Sequence, residues 1–226
     1  MATDIKQNTP KIGSINTLRF IAAIAVMFYH FAFVFYHSHL KDVNIPLLRN
    51  MFQYGYLGVD LFFIISGFVI SLSIEGRGPY AFVKSRIGRL YPVFWVSAII
   101  TTLFIIFGGH LIDSEMSWYR FLTNMIMVPT LIFDKSKIDF LDGSYWTLAV
   151  EMKFYLIILL MLLFKQIKRI ETYVIPVSFI TMIIALTGIG GISIESDFIW
   201  ISNFLAGILF YKIYKHGLTN TRIFGL

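Results

Sequence analysis

Three ionisable side chains lie inside long apolar stretches of this sequence: His30, Asp60 and Glu151. A charge within a membrane-length apolar run is costly and marks a functional position by default. A neutral imidazole near pH 7 is a natural base toward a hydroxyl. A neighbouring carboxylate can orient such a ring and raise its basicity. Arg19 precedes His30 by eleven positions. On a helix that is about 1100°, or three turns plus roughly 20°, so both side chains share a face about 16 Å apart. Ala23 and Val26 lie on the same stripe and keep it narrow. Such a face can hold an anionic ligand by its head and present the far end to a base. The plainer reading makes Arg19 a snorkelling topology residue and His30 a hydrogen bonder between helices.

Asp60 shares a helical face with Gly67 and Ser71, which suits close helix packing or a lined cavity. It can orient His30, or serve only as the N-terminal charge of its own helix. Glu151 aligns with Thr147 one turn earlier, Trp146 reads as an interfacial anchor, and Lys153 is close enough to neutralise Glu151. Arg86 and Arg89 stand one turn apart if helical, and guanidinium forks grip phosphates bidentately. Their plainer reading is a positive-inside signal. The motifs of several other chemistries are missing. Cysteine is absent, which removes thiolate metal sites and Cys nucleophiles. There is no Gly-rich phosphate loop and no nucleophile elbow. His37 and His39, two apart, do not share a helix face, so no metal site is expected. His110 and His216 read as solvated loop residues.

The elements that must position these groups follow from composition. Of 226 residues, 57% are hydrophobic and 14% charged, and the mean hydropathy is +0.74. Soluble domains are about 45–50% apolar and about 25% charged. The chain is therefore expected to be an all-α integral membrane protein, a polytopic bundle of about six spans. The spans are expected near 18–36, 55–74, 92–107, 145–164, 173–189 and 198–211. The first is too long for a signal-peptide core and reads as retained. A shorter, more polar stretch at 118–133, with Arg120, Asn124 and Pro129, is expected to be a re-entrant or interfacial element, with a tilted full span as the alternative.

Orientation follows from basic residues in short loops. Arg77, Lys84, Arg86 and Arg89, then Lys165, Lys168 and Arg169, then Lys212, Lys215 and Arg222 mark one side. The stretches 108–117 and 190–197 carry only acidic charges. With the basic side inside, the N-terminus is cytoplasmic, and His30, Asp60 and Glu151 all fall in the outer half of the membrane. The net charge of +6 is thus a topology signal. A nucleic-acid partner is not expected, because the basic residues are scattered among loops without an aromatic platform.

At these residues the sequence resembles the membrane acyltransferase family 3, bacterial O-acyltransferases of surface polysaccharides. Arg19 and His30, with ten residues between them, look like its first-span signature. Gly58-Val-Asp60-Leu-Phe-Phe-Ile-Ile-Ser66-Gly67 resembles its second-span block, and Arg86-Ile-Gly-Arg89 its paired-arginine motif. Trp146-Thr147-Leu-Ala-Val-Glu151-Met-Lys-Phe154-Tyr155 resembles its Trp-Ser-Leu-x-x-Glu block, with Thr147 replacing the usual Ser. All four blocks stand in the family's order and spacing.

The resemblance implies acyl transfer from cytoplasmic acyl-CoA, with acetyl-CoA as donor substrate, to a hydroxyl of a surface glycan or lipid-linked sugar. No permanently bound cofactor is implied. His30 would be the general base or an acyl-handling residue, with Glu151 and Asp60 orienting or polarising. Arg19, Arg86 and Arg89 would hold the donor's phosphates or carbonyl, and Trp146, Thr147 and Tyr155 would support the site. The bacterial inner membrane is implied as the location. Residues 1–226 read as a single domain that is incomplete at its C-terminus relative to the family's longer bundle. That leaves open an oligomer or partner chain supplying the missing helices. The competing expectation is an inactive truncated relative or a proton-coupled small-molecule transporter, which the same intramembrane groups would suit.

Overall fold

The computed structural model describes residues 13–34, 50–108, 117–126, 140–187 and 197–224. Among them the chain is helical with no strands, as a bilayer demands of backbone groups that have no water to bond. The helices are α1 (Gly13–Tyr29), α2 (Leu57–Ile74), α3 (Pro79–Gly108), α4 (Trp118–Met125), α5 (Trp146–Leu163), α6 (Ile170–Thr187), α7 (Asp197–His216) and α8 (Asn220–Phe224). Four helical stretches, 13–32, 50–74, 79–108 and 143–163, are long and apolar enough to cross a membrane. His37, His39, His110 and most of the 108–117 and 190–197 stretches lie outside the described residues.

The helices form two compact units, residues 1–75 with 171–226, and residues 76–170. In the first, α2 packs against α1 and against α7. Backbone proximity sets both contacts. A Cβ on Gly67 would collide with the carbonyl oxygen of Phe204, and one on Gly207 with that of Ile64, so α2 and α7 touch through reciprocal glycines. A Cβ on Gly58 would lie 2.6 Å from the Ala22 oxygen and 2.8 Å from a Val26 methyl on α1. Without a hydrophobic drive between helices in lipid, such small-residue seams supply the packing. Phe63 seals the α2–α7 seam, stacked at 4.6 Å on Phe204 and edge-on to Trp200 at 5.9 Å.

In the second unit α3 and α5 run antiparallel, with Phe82 beside Tyr155 and Phe94 beside Tyr145. The expected span from 92 starts thirteen residues earlier in the structure, because α3 continues unbroken through Pro92. Its 30 residues cover about 45 Å, against a hydrocarbon core of about 30 Å. That length lets the cationic first turns belong to the helix rather than to a loop, and Arg86 and Arg89 are both helical.

Helix α4 has eight residues, about 12 Å, too short to cross. Ser117 caps it by accepting from the Arg120 N–H at 3.1 Å. Its buried residues are polar, Thr123 and Asn124, while Trp118 and Leu122 are exposed. Asn124 accepts from the Leu141 N–H at 3.1 Å, and Arg120 donates to the Phe140 carbonyl at 2.7 Å. Tyr91 and Trp95 of α3 donate to the carbonyls of Ile126 and Met125, both at 3.2 Å. The short helix therefore ends against the middle of α3. Residues 127–139, including Pro129, lie outside the described residues.

Candidate functional site

In the first unit, α1 carries Arg19 and leads into His30. The guanidinium of Arg19 donates to the hydroxyl of Ser66 on α2 at 3.2 Å and lies 5.5 Å over the ring of Phe62. Both contacts are with the second-span block, so that block anchors the arginine. His30 opens a π-helical turn, His30–Val34, at the end of α1. Its ring is exposed and meets Tyr29 edge-on at 5.7 Å. Such turns are rare and recur at functional sites.

Asp60 lies in the first turn of α2 and is half-buried. Its Oδ1 accepts from the Asn203 amide of α7 at 2.6 Å. The face it shares with Gly67 and Ser71 is a packing face. Ser71 donates to the Gly67 carbonyl at 3.0 Å, and Gly67 meets α7.

In the second unit, Glu151 is 4% exposed and Arg86 7%, the most deeply buried charges described. A buried charge persists only when paired and hydrogen-bonded. Tyr155, one turn along α5, donates its hydroxyl to Glu151 Oε1 at 2.5 Å. The Arg86 guanidinium of α3 lies over the rings of Tyr155 and Phe82, at 5.6 and 5.5 Å. Cation, aromatic ring and carboxylate thus form one cluster across α3 and α5. Beside it is a cavity of about 220 Å³, lined by Phe82, Arg86, Leu90 and Tyr91 on one side and by Met152, Tyr155 and Leu159 on the other. Arg89, by contrast, is exposed, so the two arginines point into different surroundings.

Trp146 and Thr147 open α5. Thr147 donates to the Ser144 carbonyl at 2.8 Å, and Asp142 accepts the Ser144 N–H at 2.7 Å, which fixes the entry to the helix carrying Glu151. Lys153 is on the same helix and half-exposed. Among the described residues no group of three His, Asp or Glu converges on a metal-sized space. Sequence reading missed Ser66 and Phe62 as the anchors of Arg19, Asn203 as the partner of Asp60, and Asp142 as the cap. Asn203 carried a signal, since an amide within an apolar run needs a partner.

Helices alone among the described residues, several of them long and apolar enough to cross a membrane, define a helical membrane protein. The family described as an acyltransferase domain matches residues 12–225, and the chain belongs to this acyltransferase-3 family. The chain is similar to the acyltransferase MdmB of Streptomyces mycarofaciens, 25% identical over 65% of this chain and 38% of that protein. It is similar to the exopolysaccharide production protein ExoZ of Rhizobium meliloti, 29% identical over 46% of this chain and 33% of the relative. The peptidoglycan O-acetyltransferase OatA of Listeria monocytogenes is 26% identical over 65% of this chain and 23% of its own length. The chain thus spans well under half the length of these curated relatives. No solved structure matches it.

Proposed function

We propose that this chain is a membrane O-acyltransferase that moves an acetyl or other acyl group from cytoplasmic acyl-CoA to a hydroxyl of a surface glycan or lipid-linked sugar. The observation that carries the reading is the buried Arg86–Tyr155–Glu151 cluster beside an apolar cavity. Desolvated charges contribute little net stability, and a charge inside a membrane-length apolar run marks a functional position by default. The name of the Listeria relative, a peptidoglycan O-acetyltransferase, supports a glycan acceptor.

In this reading His30 takes the proton of the acceptor hydroxyl as its oxygen attacks the thioester carbonyl. The new C–O ester bond forms, the C–S bond breaks, and the CoA sulfur leaves as thiolate and recovers the proton from the imidazolium. Arg19, Arg86 and Arg89 hold the donor's phosphates or carbonyl, while Asp60 and Glu151 orient and polarise. Trp146, Thr147 and Tyr155 brace Glu151. Membranes carrying the chain should transfer label from acetyl-CoA to glycan, and His30→Ala should abolish transfer while inserting normally. Full transfer by that variant would remove His30 from the mechanism. Protein-dependent, proton-coupled uptake without transfer would favour a transporter instead.

We further propose six spans, a cytoplasmic N-terminus in a bacterial inner membrane, and a re-entrant element at 118–133. The short, polar-inward α4 ending against the middle of α3 supports that element. The chain has no cysteine, so single introduced cysteines report without background. Tyr80→Cys should react with an impermeant thiol reagent only after the membrane is opened, and Trp118→Cys in sealed spheroplasts. The reverse pattern would refute the topology.

A further inference from the structure

Asn203 belongs to no motif that the sequence singled out, yet it is bonded to one of the intramembrane carboxylates. Its amide donates to Asp60 Oδ1 at 2.6 Å, across 143 residues of sequence. An ionised carboxylate only accepts, so the amide nitrogen must face it. The backbone beside it is closely packed. Phe204 is fully buried and stacked on Phe63, and at Gly67 and Gly207 the backbones of α2 and α7 are in direct contact. Asp60 itself lies two residues beyond Gly58, where α2 meets α1, the helix that leads into His30. A neutral amide here differs from a lysine or arginine, because it fixes the carboxylate's direction without cancelling its charge.

We propose that Asn203 is a positioning residue for acyl transfer, holding the Asp60 carboxylate in its working orientation from α7. The proposal rests on the reading of Asp60 as a group of the transfer site. The competing role is an interhelical hydrogen bond that only joins α2 to α7.

Four variants of the full chain separate the two: Asn203→Ala, Asp60→Asn, the double Asp60→Asn/Asn203→Ala, and the exchange Asp60→Asn/Asn203→Asp. Each is assayed in membranes with labelled acetyl-CoA and melted in detergent. Asn203→Ala should lower turnover about ten- to hundredfold, as loss of orientation does, with the donor KM unchanged within about twofold. The double variant should be no slower than Asp60→Asn, because Asn203 acts through Asp60. The exchange keeps an amide–carboxylate pair but moves the charge to α7. It should melt like the original and be as inactive as Asp60→Asn.

Full turnover by Asn203→Ala with a lowered melting temperature would reduce Asn203 to a helix joint and overturn the proposal. So would multiplying losses in the double variant, or restored turnover in the exchange. Full turnover by Asp60→Asn would show instead that the reading of Asp60 had failed, and the proposal would fall with it. The melting series needs no activity and tests the pair itself: additive shifts of Asp60→Asn and Asn203→Ala would overturn it even in membranes that transfer no label.

Discussion

A phenol one turn along α5 bonds the buried carboxylate of Glu151. Tyr155 donates its hydroxyl to Glu151 and offers its ring face to Arg86, so it stands between the cation of α3 and the acid of α5. Tyr155→Phe keeps the ring and the Arg86 stacking but deletes the hydroxyl. Removing one hydrogen bond from a buried charged group costs about 1–3 kcal/mol. The variant should melt lower in detergent by a corresponding margin and transfer acetyl groups more slowly. An unchanged melting temperature together with unchanged transfer would show that the hydroxyl does not hold Glu151. Arg86 and Arg89 illustrate the limit of spacing as a guide. A helix does place them one turn apart, yet one is buried against aromatic rings and the other is exposed.

At the scale of elements, the α2–α7 seam depends on two residues without side chains. A Cβ on Gly207 would enter the space of the Ile64 carbonyl, whereas one on Gly88 of α3 would meet nothing within 4 Å. Gly207→Ala is therefore expected to destabilise by about 1–3 kcal/mol through overpacking. Gly88→Ala should stabilise by roughly 0.5–1 kcal/mol, because alanine loses less backbone entropy in a helix. Parallel thermal melts in detergent compare the two. Equal shifts of the same sign would mean that helix propensity, not the seam, governs both sites. The face of Asp60, Gly67 and Ser71 reads as small and polar in the sequence, and Gly67 and the buried Ser71 do lie on a packed face. Sequence did not reveal that α7 was the partner, because a seam of small residues carries no label of its mate.

At the scale of the whole chain, charges outside the apolar helices tie distant segments of the first unit together. Glu75, just past α2, is bonded by Lys215 of α7 and by the Tyr211 hydroxyl. Glu171 of α6 pairs with Arg222 of α8 at 3.2 Å and with Lys212 at 3.6 Å. Partial burial acts to raise the Glu75 carboxyl, but the bonds from Lys215 and Tyr211 and the charges of Lys215 and Lys212 outweigh it. The group is held below the ordinary glutamate value of 4.5. A depressed carboxylate contributes stability that is fully present above its unfolded value and is lost as pH falls through the folded one. The melting temperature should therefore drop below about pH 4.5, and the drop should be shallower in Glu75→Gln. Identical acid profiles would exclude Glu75 from the acid response. Its ion pair is largely exposed, so raised salt should weaken it as well.

The sequence by itself determined the solvent and the element type, and it singled out the candidate groups. An apolar excess of this size leaves only a bilayer, and a bilayer leaves only helices for long apolar runs. His30, Asp60, Glu151 and the arginines stood out because charge inside such runs needs a reason. Helix ends were less legible. Pro92 looked like a start, yet α3 runs through it from Pro79, because a helix longer than the hydrocarbon core tolerates both a proline and cationic turns. Only the tertiary structure decided who meets whom: Arg19 with Ser66, Asp60 with Asn203, Glu151 with Tyr155 and Arg86. Of these, only the Glu151–Tyr155 spacing lies within one helix and could be counted along the chain. The other pairs depend on which helices touch and at what height, which packing sets and local periodicity does not encode.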